Sequence, residues 1–307
     1  DVFFEEMQIP KPKYNLEINS LSHGAMTGRM MEAIEKIIIE EKPHYCMVYG
    51  DTNSTLAGAL AAKKLHVGVI HVEAGLRSFN MAMPEEINRI LTDRISDLLF
   101  CPTENAIANL TREGFESFPS KIIKNGDVMQ DAALHFSQFT SKDVSVPTER
   151  YLLVTLHRAE NTDDIKKLTA IISALNKLSE KFRIVFPIHP RTAKIIKQHG
   201  IPLSFEPVSP AGYLTMLALL KDAALVLTDS GGLQKEAFFF KKYCITLREE
   251  TEWIELVENG YNFLAGSDGT LIYQLAEKYF GSAIENPLDL YGGGKAASVL
   301  CVELAQL

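Results

Sequence analysis

With 307 residues, 46% of them apolar and 23% charged, the chain is long enough for about two domains with cores of ordinary size. A net charge of −8 argues against non-specific binding to nucleic acid or to an anionic membrane, because either needs a basic face. It leaves room for a local anion site made by a few donors. No stretch reads as apolar and long enough to span a bilayer, and the opening "DVFFEEMQIP" is no signal peptide. Cys46, Cys101, Cys244 and Cys301 are scattered, mostly beside apolar residues and without metal-ligand spacing. They read as four reduced core thiols in a cytoplasmic protein.

From residue 44 the pattern alternates. "YCMVYG" (45–50) reads as a buried strand and "NSTLAGALAAKKL" (53–65) as a helix with a polar cap. "VGVIHV" (67–72) is the next strand, "PEEINRILTDRIS" (84–96) a helix, "LLFCPT" (98–103) a strand and "TENAIANLTREG" (103–114) a helix ending at glycine. "KIIKNG" and "DAALHFSQF" close the first half, and the polar segment 140–150 is the best linker. The second half repeats the rhythm, with strands at 151–157, 182–189, 224–229, 243–248 and 261–266. Helical patterns fall at 163–180, 190–199, 210–221 and 231–241. Short apolar strands alternating with helices predict an α/β chain of two doubly wound, Rossmann-like domains. Ligands of such folds sit at the carboxyl ends of the strands.

Those ends are polar: Gly50-Asp51-Thr52, His71-Val72-Glu73, Leu156-His157-Arg158, Ile188-His189-Pro190 and Thr228-Asp229-Ser230-Gly231-Gly232. Taken singly, Asp51 and Asp229 read as caps of the helices that follow, and Glu73 as a salt-bridge partner of Arg77. Taken together, they predict a polar cleft between two domains. In "LTDSGGLQKEAF" (227–238) the glycines allow close backbone approach, and the helix start offers free N–H groups to a diphosphate. Glu236, one turn on, is placed to accept hydrogen bonds from ribose hydroxyls. The G-x-G-x-x-G dinucleotide fingerprint is absent, which counts against NAD.

Asp51 and Glu73 emerge from successive strands, and Pro84 suits a first helical turn that carries Glu85. Three carboxylates in one cleft suit general acid–base chemistry near neutral pH. His66, His71 and these acids form no convincing zinc or magnesium set, so no metal and no cofactor is expected.

At "GDTNSTLAGALAA", "HVEAGLRS", "MPEEINR", "CPTENA", "LHRAEN", "LTDSGGLQKEA" and "REETEW", in this order, the chain resembles the non-hydrolysing UDP-N-acetylglucosamine 2-epimerase family over residues 1–307. The resemblance implies a glycosyltransferase-B type fold with a UDP-sugar in the interdomain cleft. The N-terminal domain would be 1–145, the UDP-binding domain 146–290, and 291–307 a helix packing back on the first domain through Val299, Leu300 and Leu304. It implies catalytic roles for Asp51, Glu73, Glu85 and His157. It further implies substrate or UDP contacts at Asp51, Glu73, Arg77, His157, Arg158, Met216, Ser230, Gly231, Gly232 and Glu236. A homodimer that closes on UDP and supplies cell-surface polysaccharide synthesis is the accompanying expectation.

The chemistry implied is UDP loss from C1 as the C2 proton is removed, then reprotonation from the opposite face and re-addition of UDP. Which carboxylate serves which face is left open. Three departures from the family pattern stand out. The initial strand and its Gly-Thr-Arg-Pro-Glu loop are missing, so the N-terminus reads as incomplete. Trp253 replaces a common Arg. "HRAEN" and "FPIHPRT" resemble a branch that includes UDP-2,3-diacetamido-2,3-dideoxyglucuronate 2-epimerases. That sugar, a glycosyltransferase of the same fold, and a non-catalytic nucleotide-sugar sensor are the competing readings.

Overall fold

The computed structural model describes residues 7–139 and 147–307; most of the expected linker, 140–146, lies outside the described residues. Contacts divide the chain into two compact units. One comprises Pro10–Asp131 with Asp289–Leu307, and the other Asp1–Ile9 with Ala132–Leu288. The change of unit thus falls inside a helix, Val128–Phe136.

The first unit runs α1 (His23–Glu41), β1 (Tyr45–Tyr49), α2 (Asn53–Lys64), β2 (Gly68–Val72), α3 (Pro84–Ile95), β3 (Leu98–Cys101), α4 (Glu104–Arg112), β4 (Lys121–Lys124) and the start of α5 (Val128–Phe136). The sheet order is β1-β2-β3-β4, all parallel, and Tyr49 pairs with Val72. Helix α2 packs closely because its buried face is small: Ala57, Ala59, Ala61 and Ala62 are nearly inaccessible. A Cβ on Gly58 would sit 3.1 Å from Val48 Cγ1. Strand β1 is less buried than its sequence suggests. It is an edge of the described sheet, and Tyr45 and Tyr49 are exposed.

The terminal helix, Ala296–Leu304, covers this sheet. Leu300 is buried with Ile70, Val72, Leu98 and Phe100, and Leu304 packs against the same cluster. Val299 does not join them, being 36% exposed. Cys301, on the solvent side of that helix, is exposed as well, so the expectation of four core thiols fails there. Cys101 and Cys244 are buried, and burial pushes the Cys244 thiol up to about 12.

The second unit runs β5 (Tyr151–Thr155), α6 (Ala159–Thr162), α7 (Ile165–Ser179), β6 (Arg183–Val185), α8 (Pro190–Gln198), α9 (Tyr213–Asp222), β7 (Leu225–Thr228), α10 (Gly231–Phe239), β8 (Cys244–Thr246), α11 (Ile254–Glu258), β9 (Asn262–Leu264) and α12 (Gly269–Tyr279). Its parallel sheet is ordered β6-β5-β7-β8-β9. The chain goes from β5 to one side and returns to the other, so the crevice at the end of β5 and β7 is a topological switch point, where such sheets bind ligands. Leu152, Val154, Leu225, Leu227 and Ile245 form one core with α7 and α12, while Leu153 and Val226 face α9 and α10. The α/β class and the two parallel-sheet domains are as expected. Among the described residues no helix is long and apolar enough to cross a membrane.

Candidate active site

In the first unit, the β1–β2 register brings the two strand ends together. Gly50 N–H donates to Val72 O at 3.0 Å, and a Cβ on Gly50 would lie 3.5 Å from Glu73 Oε2. Gly50 has a positive φ of 63°, so a side chain there would be strained as well as close to that carboxylate. Glu73 itself adopts φ 74°, an unusual conformation for a non-glycine residue and a local strain of the kind that collects at functional sites. Asp51 follows directly, its side chain 29% exposed. It does not cap α2, whose capping box is made by Thr52 and Thr55.

Helix α3 clamps these turns from one side. Pro84 opens it, as expected, and Glu85 is exposed on its first turn. Asn88 Nδ2 donates to the Asp51 carbonyl at 2.9 Å, and Arg89 Nη2 to Asp51 Oδ2 at 2.5 Å. Arg89 Nη1 also meets Glu86, a wholly buried carboxylate that accepts from the N–H groups of Ser78 and Phe79. One turn further, Asp93 is fully buried among His71, Gly75 N–H and Arg77. Burial works against its charge, yet the hydrogen bonds and charges of His71 and Arg77 keep its carboxyl below the usual range.

Arg77 is therefore not where the sequence placed it. It is 2% exposed, bonded to Asp93 at 2.7 Å and to Glu113 through Nε and Nη2 at 2.7 and 2.8 Å. With a further bond to the Leu76 carbonyl, these partners take four of its five N–H groups. His71 likewise uses both ring nitrogens inside the core. Glu86, Asn88, Arg89 and Asp93 went unassigned in the sequence. For Glu86, Arg89 and Asp93 the signal was their i, i+3 and i+7 spacing along "PEEINRILTD", which places them on one face of a helix otherwise expected to bury apolar groups; Asn88 lies off that stripe.

In the second unit, β5 and β7 are neighbours, with Thr155 paired to Thr228. Asp229, 0% exposed, does not cap α10. It reaches across to accept from His157 N–H at 3.0 Å, Arg158 N–H at 2.9 Å and Asn161 Nδ2 at 3.3 Å. His157 is thereby held at the surface, with Nδ1 3.5 Å from Asp229 Oδ1 and its ring centre 6.1 Å from that of His189. Ser230 caps α10, and Gly231 and Gly232 form its first turn.

A Cβ on Gly231 would collide with Glu252, and Arg158 Nη2 would lie 3.6 Å from it. Glu252 is also bonded to Arg248 at 2.9 Å. Burial disfavours its charge, but Arg248 and then Arg158 outweigh this and hold the carboxyl below its ordinary range. Two arginines and a helix start thus converge on the Glu252 carboxylate. Trp253, the departure noted above, packs beneath it: Nε1 donates to Gly231 O at 3.0 Å. Glu236 is buried and accepts from Tyr213 OH at 3.1 Å, and Met216, half-buried on the same α9, packs against the core. Among the described residues no group of three His, Cys, Asp or Glu is arranged to hold a metal ion.

Residues 1–304 match the family described as UDP-N-acetylglucosamine 2-epimerase. The chain is 54% identical to a UDP-2,3-diacetamido-2,3-dideoxy-D-glucuronate 2-epimerase of Pseudomonas aeruginosa, over 100% of this chain and 87% of that protein. It is 44% identical to a UDP-N-acetylglucosamine 2-epimerase of Methanocaldococcus jannaschii, over 96% and 84%. The crystal structure of the M. jannaschii enzyme with UDP-GlcNAc and UDP superposes with a TM-score of 0.88 at 43% identity, covering 100% of this chain and 88% of that one. A Neisseria meningitidis enzyme bound to UDP-GlcNAc gives 0.85 at 29% identity, over 99% and 88%. With residues 1–304 matching the family and relatives 54% and 44% identical along nearly all of it, the chain belongs to the UDP-N-acetylglucosamine 2-epimerase family.

Proposed function

We propose that the protein is a cytoplasmic isomerase that inverts C2 of UDP-N-acetylglucosamine to give UDP-N-acetylmannosamine, a precursor of cell-surface polysaccharide, and that it works as a homodimer. The observation that carries this reading is the pairing of β1 with β2, which delivers Asp51 and Glu73 from adjacent strand ends in a chain 44% identical to a UDP-N-acetylglucosamine 2-epimerase.

The C2 proton of a hexosamine is not next to a carbonyl, so simple enolisation is closed to it. Loss of UDP from C1 as that proton leaves gives a 2-acetamidoglucal; a proton delivered to the other face, followed by return of UDP, completes the inversion. This route asks for an acid or base on each face and for donors to the departing diphosphate. Asp51, Glu73 and Glu85 serve as the proton-transfer groups. His157, Arg158 and the Ser230–Gly232 helix start take the diphosphate charge, Glu236 the ribose, and Met216 lies beside the uracil. Arg77 is given no contact with substrate, because its guanidinium is buried and bonded to Asp93 and Glu113.

Incubation with UDP-N-acetylglucosamine in D₂O is the test. Deuterium at C2 of both epimers is expected. Transfer only to an added acceptor would make the protein a glycosyltransferase, and binding without turnover would make it a sensor. The 54% identity to the P. aeruginosa enzyme supports a second sugar, UDP-2,3-diacetamido-2,3-dideoxyglucuronate, for the same chemistry. A higher kcat/KM for that sugar in the same assay would favour it.

A further inference from the structure

Behind the two acid-bearing turns lies a sealed set of charges that never meets solvent. His71, on β2, is 0% exposed. Its Nδ1 is 2.7 Å from Asp93 Oδ1 and its Nε2 2.7 Å from the carbonyl oxygen of Gly50. A carbonyl only accepts, so Nε2 carries a proton. Asp93 receives Gly75 N–H at 3.1 Å and Arg77 Nη1 at 2.7 Å on its other oxygen, and the guanidinium charge beside it favours the carboxylate, which leaves the shared proton on Nδ1. The ring is an imidazolium. The charges that face it agree. Burial alone would lower its pKa, but Asp93, the Gly50 carbonyl and Glu73 raise it above the ordinary value. Arg77 on the far side of Asp93 is the opposing cation, and the buried Cys101 thiol on β3 lies beside that pair.

The two outer bonds of the set end on the turns that carry the acids. Gly50 O precedes Asp51, and Gly75 N–H follows Glu73 by two residues. Gly75 O accepts from Asn109 Nδ2 at 3.1 Å, and Leu76 O from Arg77 at 2.6 Å. Position 75 tolerates no Cβ, since one would collide with Ala106 O, and its φ is 78°. Beside the backbone bond from Gly50 N–H to Val72 O, a second bridge links the Asp51 and Glu73 turns, from Gly50 O through His71 and Asp93 to Gly75 N–H.

We propose that His71 and Asp93 are positioning residues for epimerisation: their buried charge pair holds the Asp51 and Glu73 turns at a fixed separation while both carboxylates exchange protons with the sugar. The proposal rests on the epimerase reading. Neither residue touches substrate, so its loss changes turnover and leaves nucleotide binding, assigned to the other unit, intact.

The test is steady-state kinetics of His71→Gln and His71→Ala with UDP-N-acetylglucosamine, beside UDP affinity by calorimetry and thermal melting of each variant. For His71→Ala a fall in kcat of roughly 10- to 100-fold is expected, the scale of an ångström-sized misplacement, with KM and UDP affinity within about two-fold. His71→Gln, which keeps a donor for Gly50 O, should recover part of the loss. Unchanged kcat in a folded His71→Ala, or losses in kcat and UDP affinity that run in step, would overturn the proposal. On the unmutated protein, ¹⁵N-histidine spectra near pH 7.5 should show both His71 nitrogens protonated. A neutral, single-tautomer ring would overturn the proposal even if no variant folds. Absence of C2 deuterium exchange in the unmutated protein would instead sink the epimerase reading, and the proposal with it.

Discussion

Arg89 Nη2 lies 2.5 Å from Asp51 Oδ2, and the same guanidinium holds the buried Glu86 through Nη1. Arg89 is 6% exposed in its side chain and Glu86 1%, so the first turns of α3 and the strand end that carries Asp51 share one buried cation. Arg89→Lys keeps the charge but loses the fork, and a point charge cannot serve both carboxylates in that geometry. We expect turnover to fall at least ~10-fold, on the scale of a misplaced catalytic group, with the fold kept by circular dichroism. Undiminished turnover would detach Arg89 from Asp51's role.

The three acids themselves are expected to behave alike. Asp51→Asn, Glu73→Gln and Glu85→Gln should each cut kcat by about 10²-fold or more, the cost of a lost acid–base group, with UDP affinity little changed. Near-normal kcat in one of them would remove that residue from the proton transfers.

Asp229 organises His157 through the backbone. Because it receives two main-chain N–H groups and Asn161, Asp229→Asn turns an amide N–H toward donors and leaves a polar clash in the core. Turnover should drop by more than 10-fold, in the range of a 1–3 kcal/mol loss at a buried donor, and melting temperature should fall. His157→Ala, at an exposed site, should lower turnover without lowering melting temperature. Melting curves of the two variants side by side check the distinction.

Gly231 is a steric prediction. Any Cβ there meets Glu252, and Trp253 fixes the carbonyl of the same residue, so the helix start cannot retreat. Gly231→Ala should cost about 1–3 kcal/mol as overpacking and weaken UDP binding measured by calorimetry. Shortening the obstacle as well, with Glu252→Ala, should relieve the clash.

The buried pair also predicts how stability follows pH. His71 has its folded-state pKa raised above its ordinary 6.5, so its contribution is complete below that value and is lost as pH rises through the folded pKa. Asp93 is depressed below its ordinary 3.8, so its contribution is present above that value and is lost as pH falls through the folded pKa. Removing one partner of such a pair costs about 3–5 kcal/mol. The gap in unfolding free energy between unmutated protein and His71→Gln should therefore narrow toward alkaline pH, and the gap for Asp93→Asn toward acid. Denaturant titrations at several pH values read both.

Much of this was legible in the sequence because strand ends in parallel sheets are marked by short apolar runs. "VGVIHV" before Glu73 and "ALVLTD" before Ser230 fixed both strands and the turns that follow. What the sequence hid is where each polar side chain turns. Arg77 sits inside "HVEAGLRS", four residues after Glu73, but its partners, Asp93 and Glu113, are 16 and 36 residues away, and no local pattern announces them. Asp229 looks like a helix cap by position, yet it serves the neighbouring strand's turn. Helix α1 went unread because Gly24 and Gly28 weaken its start and Ser22 offers no side-chain cap. The edge position of β1 depends on sheet order, which periodicity does not encode.

The central claim is that C2 inverts through loss and return of UDP at C1. Positional isotope exchange tests it most directly: UDP-N-acetylglucosamine labelled with ¹⁸O in the bridge between C1 and the β-phosphorus is incubated with the protein and followed by ³¹P NMR. Scrambling of the label into the non-bridging β-phosphoryl positions, in step with C2 deuteration in D₂O, is the predicted result. C2 deuteration with the label held in the bridge would contradict it.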